Sequence, residues 1–194
     1  MSFAALILAA GASRRMGEAN KLLLDVNGVP LAAHALEAVQ ASRAEEICVV
    51  LGHEAEKVRA VLKPRAAGSV RFLTNADHAD GLASSLVCAL RRLKNRHDAV
   101  AVCLGDMPFV TADVIDALYA ALAPGDYAAV PVWRGEWGNP VVLSAEAARD
   151  ATALTGDRGA RMLLRRHAAR VRAVPAPSAA VLRDIDRQAD LGLS

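Results

Sequence analysis

Short apolar runs and amphipathic stretches take turns along most of this chain, and that alternation limits the possible folds more than any other feature. Strand-like runs occupy Phe3–Ala9, Ile47–Leu51, Val70–Leu73, Ala99–Leu104, Tyr127–Val132 and Pro140–Leu143. Between them, Leu31–Gln40, Glu54–Leu62, Leu82–Leu93 and Ala112–Leu122 space their apolar residues with helical period. Near-continuous apolar strands need helices on both faces, so the pattern predicts an α/β fold with a mainly parallel sheet. Such sheets bind ligands outside the carboxyl ends of their strands, which directs attention to the loops that follow these runs.

No linker, repeat or low-complexity segment divides the 194 residues, a length suited to one well-buried core. The chain therefore reads as a single domain over residues 1–194. The strict alternation loosens after Gly125, as an insertion supplying one side of a pocket would make it. The Pro-rich Val174–Ser178 reads as a turn leading to a final strand, and helix starts are expected at Thr111 and at Thr155 or Asp157.

Immediately after the first run, the segment Leu6–Lys21 (LILAAGASRRMGEANK) becomes rich in small residues and cations. Small residues at a strand end let backbone N–H groups approach an anion closely. Arg14, Arg15 and Lys21 fall within eight residues and suit a polyphosphate. The segment is neither a Walker A loop nor GxGxxG. A secretory signal is a poor fit, because no positive charge precedes the apolar run and two arginines follow it.

A second feature is Gly105-Asp106-Met107-Pro108, at the end of an apolar run. A carboxylate there faces a ligand crevice, and Mg2+ prefers one or two carboxylates together with phosphate oxygens and water. The competing reading, a helix cap near Thr111, has to span five residues. A third is Asp184-Ile185-Asp186 followed by Asp190. Residues two apart in extended chain point the same way, so one face carries both carboxylates; capping of a following helix by Asp186 is the alternative.

Leu8, Ala9, Ala10, Gly11, Ser13, Arg15, Met16, Gly17 and Lys21, together with GDMP and the DID triplet, resemble the molybdenum cofactor cytidylyltransferase family of MobA-like NTP transferases. The resemblance covers nearly the whole chain and implies a Rossmann-like, three-layer, glycosyltransferase-A-type nucleotidyltransferase fold. It implies that Arg15 and Lys21 hold a triphosphate, and that Asp106 and Asp186 hold Mg2+. The catalytic set is then Arg15, Lys21 and Asp106. It further implies a nucleotide site built from Leu8, Ala9, Ala10, Gly11, Arg15, Lys21, Asn75, Gly81, Ser84 and Ser85, although Ser84 suits helix capping equally well. Gly138, Asn139 and Pro140, with Gly156, Asp157 and Arg161, resemble the segments that line the pterin side; plain turn and cap chemistry is their other reading. The family usually has Thr-Pro-Glu where this chain has Arg187-Gln188-Ala189, and often His where Asn139 stands.

The implied reaction passes CMP from CTP to the terminal phosphate of a molybdopterin-type acceptor and releases pyrophosphate. Guanylyl-transferring relatives tend to carry Gly where this chain has Ala10, and a methyl group there favours a pyrimidine by size. Rival readings are a GTP-dependent or other phosphorylated-acceptor nucleotidyltransferase, and a non-catalytic nucleotide-binding partner of a molybdoenzyme. A molybdoenzyme or chaperone client is the macromolecular partner that this family implies.

Composition closes other routes. A net charge of +2 and only two Trp, two Tyr and three Phe argue against nucleic acid. No apolar run is long enough to span a bilayer. Cys48, Cys88 and Cys103 stand alone within apolar segments, as buried thiols of a reducing compartment do, and the cytoplasm is the expected location. The five histidines show no zinc spacing, and His97 and His167 sit in charged stretches that read as exposed. No GxSxG elbow or recognisable Ser/His/Asp set supports hydrolysis. Arg91, Arg92, Lys94 and Arg96 read as a solvated helix end.

Overall fold

A computed structural model describes residues 2–11, 20–93, 96–156 and 160–186. One sheet carries the strands β1 (Phe3–Ala9), β4 (Glu46–Leu51), β5 (Val70–Thr74), β6 (Ala99–Leu104), β7 (Ala128–Trp133), β9 (Val141–Ser144) and β10 (Val171–Pro175), in the order β10-β7-β9-β6-β1-β4-β5. The short β8 (Glu136–Trp137) pairs with β7. The β1/β4, β1/β6, β4/β5 and β7/β10 ladders are parallel, and the pairings of β9 and β8 are antiparallel. The expected mainly parallel α/β sheet is what forms, and each antiparallel pairing described within it involves β8 or β9, which follow Gly125.

The helices are α1 (Leu31–Ala41), α2 (Ala55–Leu62), α3 (Leu82–Leu93), α4 (Ala112–Ala121), α5 (Ala145–Ala151) and α6 (Arg161–Arg166). Strand alternation sorts β1 between two cores. Phe3, Ala5, Ile7 and Ala9 pack with Leu36, Val58 and Ile115 of α1, α2 and α4. Ala4, Leu6 and Leu8 pack with Leu86, Ala147 and Leu164 of α3, α5 and α6. A strand buried on both faces reads as a continuous apolar run for this reason.

The chain moves outward from β1 to β4 and β5, then returns to the other flank of β1 through β6. This reversal is a topological switch point, and the carboxyl ends of β1 and β6 border its crevice. No described helix is long and apolar enough to cross a membrane.

Three local expectations need correction. Val174 and Pro175 end a strand instead of leading into one: β10 lies at the sheet's edge, where a residue without an N–H is tolerated. His97 is tucked against Glu46, 3.1 Å away, with its side chain only 11% exposed. His167 is half-buried and stacks on the Tyr127 ring at 4.0 Å. In both cases a partner distant in sequence covers the ring, which local charge does not disclose. A hairpin of β2 (Asp25–Val26) and β3 (Val29–Pro30) also lies outside the apolar-run pattern. Its turn residues Asn27 and Gly28 have φ of 55° and 82°, the pair of positive angles that selects Asn-Gly in tight hairpins. The three cysteines are free thiols, Cys48 and Cys103 buried and Cys88 half-buried. Arg91, Arg92 and Arg96 are exposed.

Candidate functional site

Three separate segments converge beside the carboxyl ends of β1 and β6. Lys21 opens a short 3-10 turn, Lys21–Leu23. That turn is anchored by the buried Leu22 and by Asn20, whose Oδ1 accepts the Leu22 N–H at 3.1 Å. Asp106 leaves β6 after Gly105, whose N–H donates to the Leu8 carbonyl at 3.0 Å and so ties the two strand ends together. The third segment, residues 183–186, is threaded past Asp106 by the Ile185 N–H, which donates to the Asp106 carbonyl at 3.0 Å. Ile185 itself is 1% exposed and packs with Val26 and Leu31. Arg183 lies over the Phe109 ring at 4.7 Å.

Burying Ile185 turns both of its neighbours toward the site. Asp106, Asp184 and Asp186 each offer a carboxylate oxygen, and these oxygens lie within 4.8 Å of one another. Lys21 Nζ stands 2.7 Å from Asp106 Oδ2 and 2.8 Å from Asp186 Oδ1. Burial works against the Lys21 charge, yet Asp106 and Asp186 outweigh it, and the ammonium is held above its usual range. Partial burial, reinforced by the charges of Asp106 and Asp186, raises the Asp184 carboxyl. Hard, oxygen-only ligands at this spacing suit Mg2+ or Mn2+. The DID spacing was enough to place Asp184 beside Asp186, but the family pattern points only to Asp186.

The cluster opens onto a cleft of about 490 Å3 to which Asp184 contributes. Leu8 and Leu82 line it, as do Trp137, Gly138, Asn139 and Arg161. Arg161 Nη2 donates to the Trp137 carbonyl at 2.9 Å, which fixes the guanidinium at the cleft wall. Pro140 is buried and lines a separate small apolar pocket. Gly156 is exposed and borders another depression, beside Met162 and Arg166. Arg15 and Asp157 lie outside the described residues.

At the end of β1, Ala9 and Ala10 are buried and Gly11 is exposed. Asn75 is buried, and its Nδ2 donates to the hydroxyls of Ser84 and Ser85 at 2.9 and 3.0 Å. The Ser84 hydroxyl lies 2.9 Å from the Gly81 carbonyl and 2.8 Å from that of Asp77. Asn75, Gly81, Ser84 and Ser85 thus form one hydrogen-bonded brace. Gly52, which no motif singles out, is required here: a Cβ would come within 2.6 Å of the His78 Cβ and 2.7 Å of the Ala10 carbonyl oxygen. The signal available in sequence is its place directly after an apolar strand.

Comparison with known proteins bears on this geometry. A family model described as a MobA-like NTP transferase domain matches residues 5–171. A bifunctional protein GlmU from Allorhizobium ampelinum is 35% identical over 127 residues, which is 65% of this chain and 28% of that protein. The chain spans less than a third of the length of such bifunctional relatives. A nicotine blue oxidoreductase from Paenarthrobacter nicotinovorans is 33% identical over 171 residues, 82% of this chain and 79% of that one. Among solved structures, the Rv0371c homologue from Mycobacterium sp. strain JC1 superposes with a TM-score of 0.82 at 27% identity, covering 98% of this chain and 93% of that one. Rv0371c of Mycobacterium tuberculosis H37Rv, solved as a manganese complex, has a TM-score of 0.78 at 24% identity, covering 98% and 96%. A molybdopterin-guanine dinucleotide biosynthesis protein A from Archaeoglobus fulgidus has a TM-score of 0.70 at 22% identity, covering 97% and 94%. The last two likenesses show the fold alone.

Proposed function

The chain belongs to the MobA-like NTP transferase family, and on that premise we propose that it transfers CMP from CTP to the terminal phosphate of a molybdopterin-type acceptor. The observation that carries this reading is the Lys21–Asp106–Asp186 cluster, joined by Asp184, at the edge of a cleft large enough for a second substrate. An acceptor phosphate oxygen attacks the α-phosphorus of CTP, and the bond to the pyrophosphate leaving group breaks. Such a displacement needs positioning and charge dispersal, with no covalent enzyme intermediate. Lys21 and Arg15 hold triphosphate oxygens. Asp106 and Asp186, with Asp184, hold the divalent cation, which when bound disperses phosphate charge. Gly138, Asn139 and Arg161 line the acceptor side, and the brace of Asn75, Gly81, Ser84 and Ser85 shapes the nucleotide side together with Leu8–Gly11.

Pyrophosphate release measured over CTP, GTP, UTP and ATP, with Mg2+ and molybdopterin, tests the proposal. Release with CTP only when molybdopterin is present, and a product of the matching mass, is the expected result. Preference for GTP would replace the cytidylyl assignment by a guanylyl one. No release with any nucleotide despite tight CTP binding would favour a non-catalytic partner. One relative is an oxidoreductase by name, and a shared fold does not by itself carry chemistry across a family. NADH- or NADPH-dependent dye reduction is therefore the control reaction, in which Asp106→Asn has no reason to matter.

A further inference from the structure

The ammonium of Lys21 occupies the place in the carboxylate cluster where positive charge is wanted. It stands 2.7 and 2.8 Å from Asp106 and Asp186, with its side chain only 12% exposed. We infer that Lys21 is an internal counter-ion of this cluster, giving up its carboxylates to a divalent cation only when a triphosphate takes its ammonium, so that nucleotide and cation bind as one coupled event. This rests on the reading above, in which the cluster holds a cation and Lys21 holds phosphate.

Three carboxylates whose oxygens lie within 4.8 Å repel one another unless positive charge stands among them. A divalent cation arriving alone must share those oxygens with Lys21 or displace it. Sharing sets an ammonium against a dication a few ångströms away, where Coulomb repulsion in a partly desolvated site is large. Displacement takes a half-buried ammonium away from both Asp106 and Asp186, which is costly. A triphosphate removes both costs, because its oxygens accept charge-assisted hydrogen bonds from the displaced ammonium.

The local structure permits the exchange. Asn20 and the buried Leu22 fix the backbone on either side of Lys21, while a lysine's four-carbon stem is flexible and can swing its head without moving the turn. Coupling of this kind is reciprocal: whatever the nucleotide does to cation affinity, the cation does to nucleotide affinity.

The test is the affinity of the nucleotide-free protein for Mn2+ alone, measured by electron paramagnetic resonance, in wild type, Lys21→Met, Lys21→Arg and Lys21→Met/Asp106→Asn, with folding verified by circular dichroism. Lys21→Met is expected to bind Mn2+ about tenfold or more tightly than wild type, and Lys21→Arg, which keeps the charge, to bind as weakly as wild type. Should Lys21→Met not fold, Lys21→Gln carries the same expectation with a polar head. Tightening in Lys21→Met that the added Asp106→Asn removes supports the inference. Equal or weaker binding in Lys21→Met, still abolished by Asp106→Asn, would overturn the counter-ion role and leave the cation site standing. Binding that Asp106→Asn does not alter would place the cation elsewhere and overturn both.

Discussion

Among the described residues, Asp106 has Lys21 as a neighbour of opposite charge and Asp184 and Asp186 of its own sign, so its net contribution to folding is small. Asp106→Asn is expected to abolish transfer while its denaturation midpoint stays near wild type; turnover within a few-fold of wild type at ordinary Mg2+ would remove Asp106 from the cation site. The thiols make a different prediction. Burial pushes Cys48 and Cys103 up to about 12, whereas an unfolded thiol titrates near ~8.5. The folded state therefore holds protons that the unfolded state has lost, and stability should fall as pH rises from about 9 toward 12. Alkylation at pH 8 should reach Cys88 first, and Cys48 and Cys103 only on unfolding; equal rates at all three would contradict their burial. The proposed cytidylyl specificity can be tested at Ala10. Its exposure is only 6% and its methyl group lies against Gly52. Ala10→Gly creates space but no hydrogen bond to guanine, and a methyl-sized change discriminates by about 1–3 kcal/mol. The ratio of kcat/KM for CTP over GTP should fall without reversing; an unchanged ratio would move selection to the Gly81–Ser85 turn.

At the scale of elements, the site depends on how the short 3-10 turn Ala179–Leu182 docks onto the entry to β9. Gly138 N–H donates to the Pro131 carbonyl and Asn139 N–H to the Val181 carbonyl, both at 2.8 Å. A Cβ at Gly138 would collide with the Val181 carbonyl oxygen and come within 2.9 Å of the Val181 Cβ. Its lack of a side chain is therefore a packing requirement, whatever contact it also makes in the cleft. Gly138→Ala must push the turn away, and residues 183–186, which bring Asp184 and Asp186 to Asp106, follow directly. Overpacking of this kind costs roughly 1–3 kcal/mol. Urea denaturation should show that loss, and Mn2+ affinity should fall with it. A variant as stable as wild type with unchanged Mn2+ binding would show that this contact does not position the carboxylates.

Across the whole molecule, legibility followed the range of the forces involved. Strands such as β1 and β6 were readable to the residue because burial on both faces leaves a continuous apolar run, and Asp106 was readable because it follows such a run. The return of residues 183–186 to the start of the chain was not, since it depends on the burial of Ile185 against Val26 and Leu31 and on one backbone hydrogen bond to Asp106. The family pattern supplied Asp186 in its place. That same convergence makes the site a clasp between distant parts of the chain: Lys21 follows β1, Asp106 follows β6, and Asp184 and Asp186 come after every strand of the sheet. A ligand bound there opposes global unfolding by mass action, by about 2.7 kcal/mol at a hundred times its Kd. For a domain of this size that corresponds to a Tm rise of about 5–10 °C. CTP with Mg2+ is expected to give this rise, cytidine much less and GTP an intermediate one, with Asp106→Asn losing the part that requires Mg2+. A GTP response larger than that of CTP would transfer the assignment to guanylyl chemistry. Equal responses to CTP and cytidine would show that the triphosphate does not engage the clasp at all.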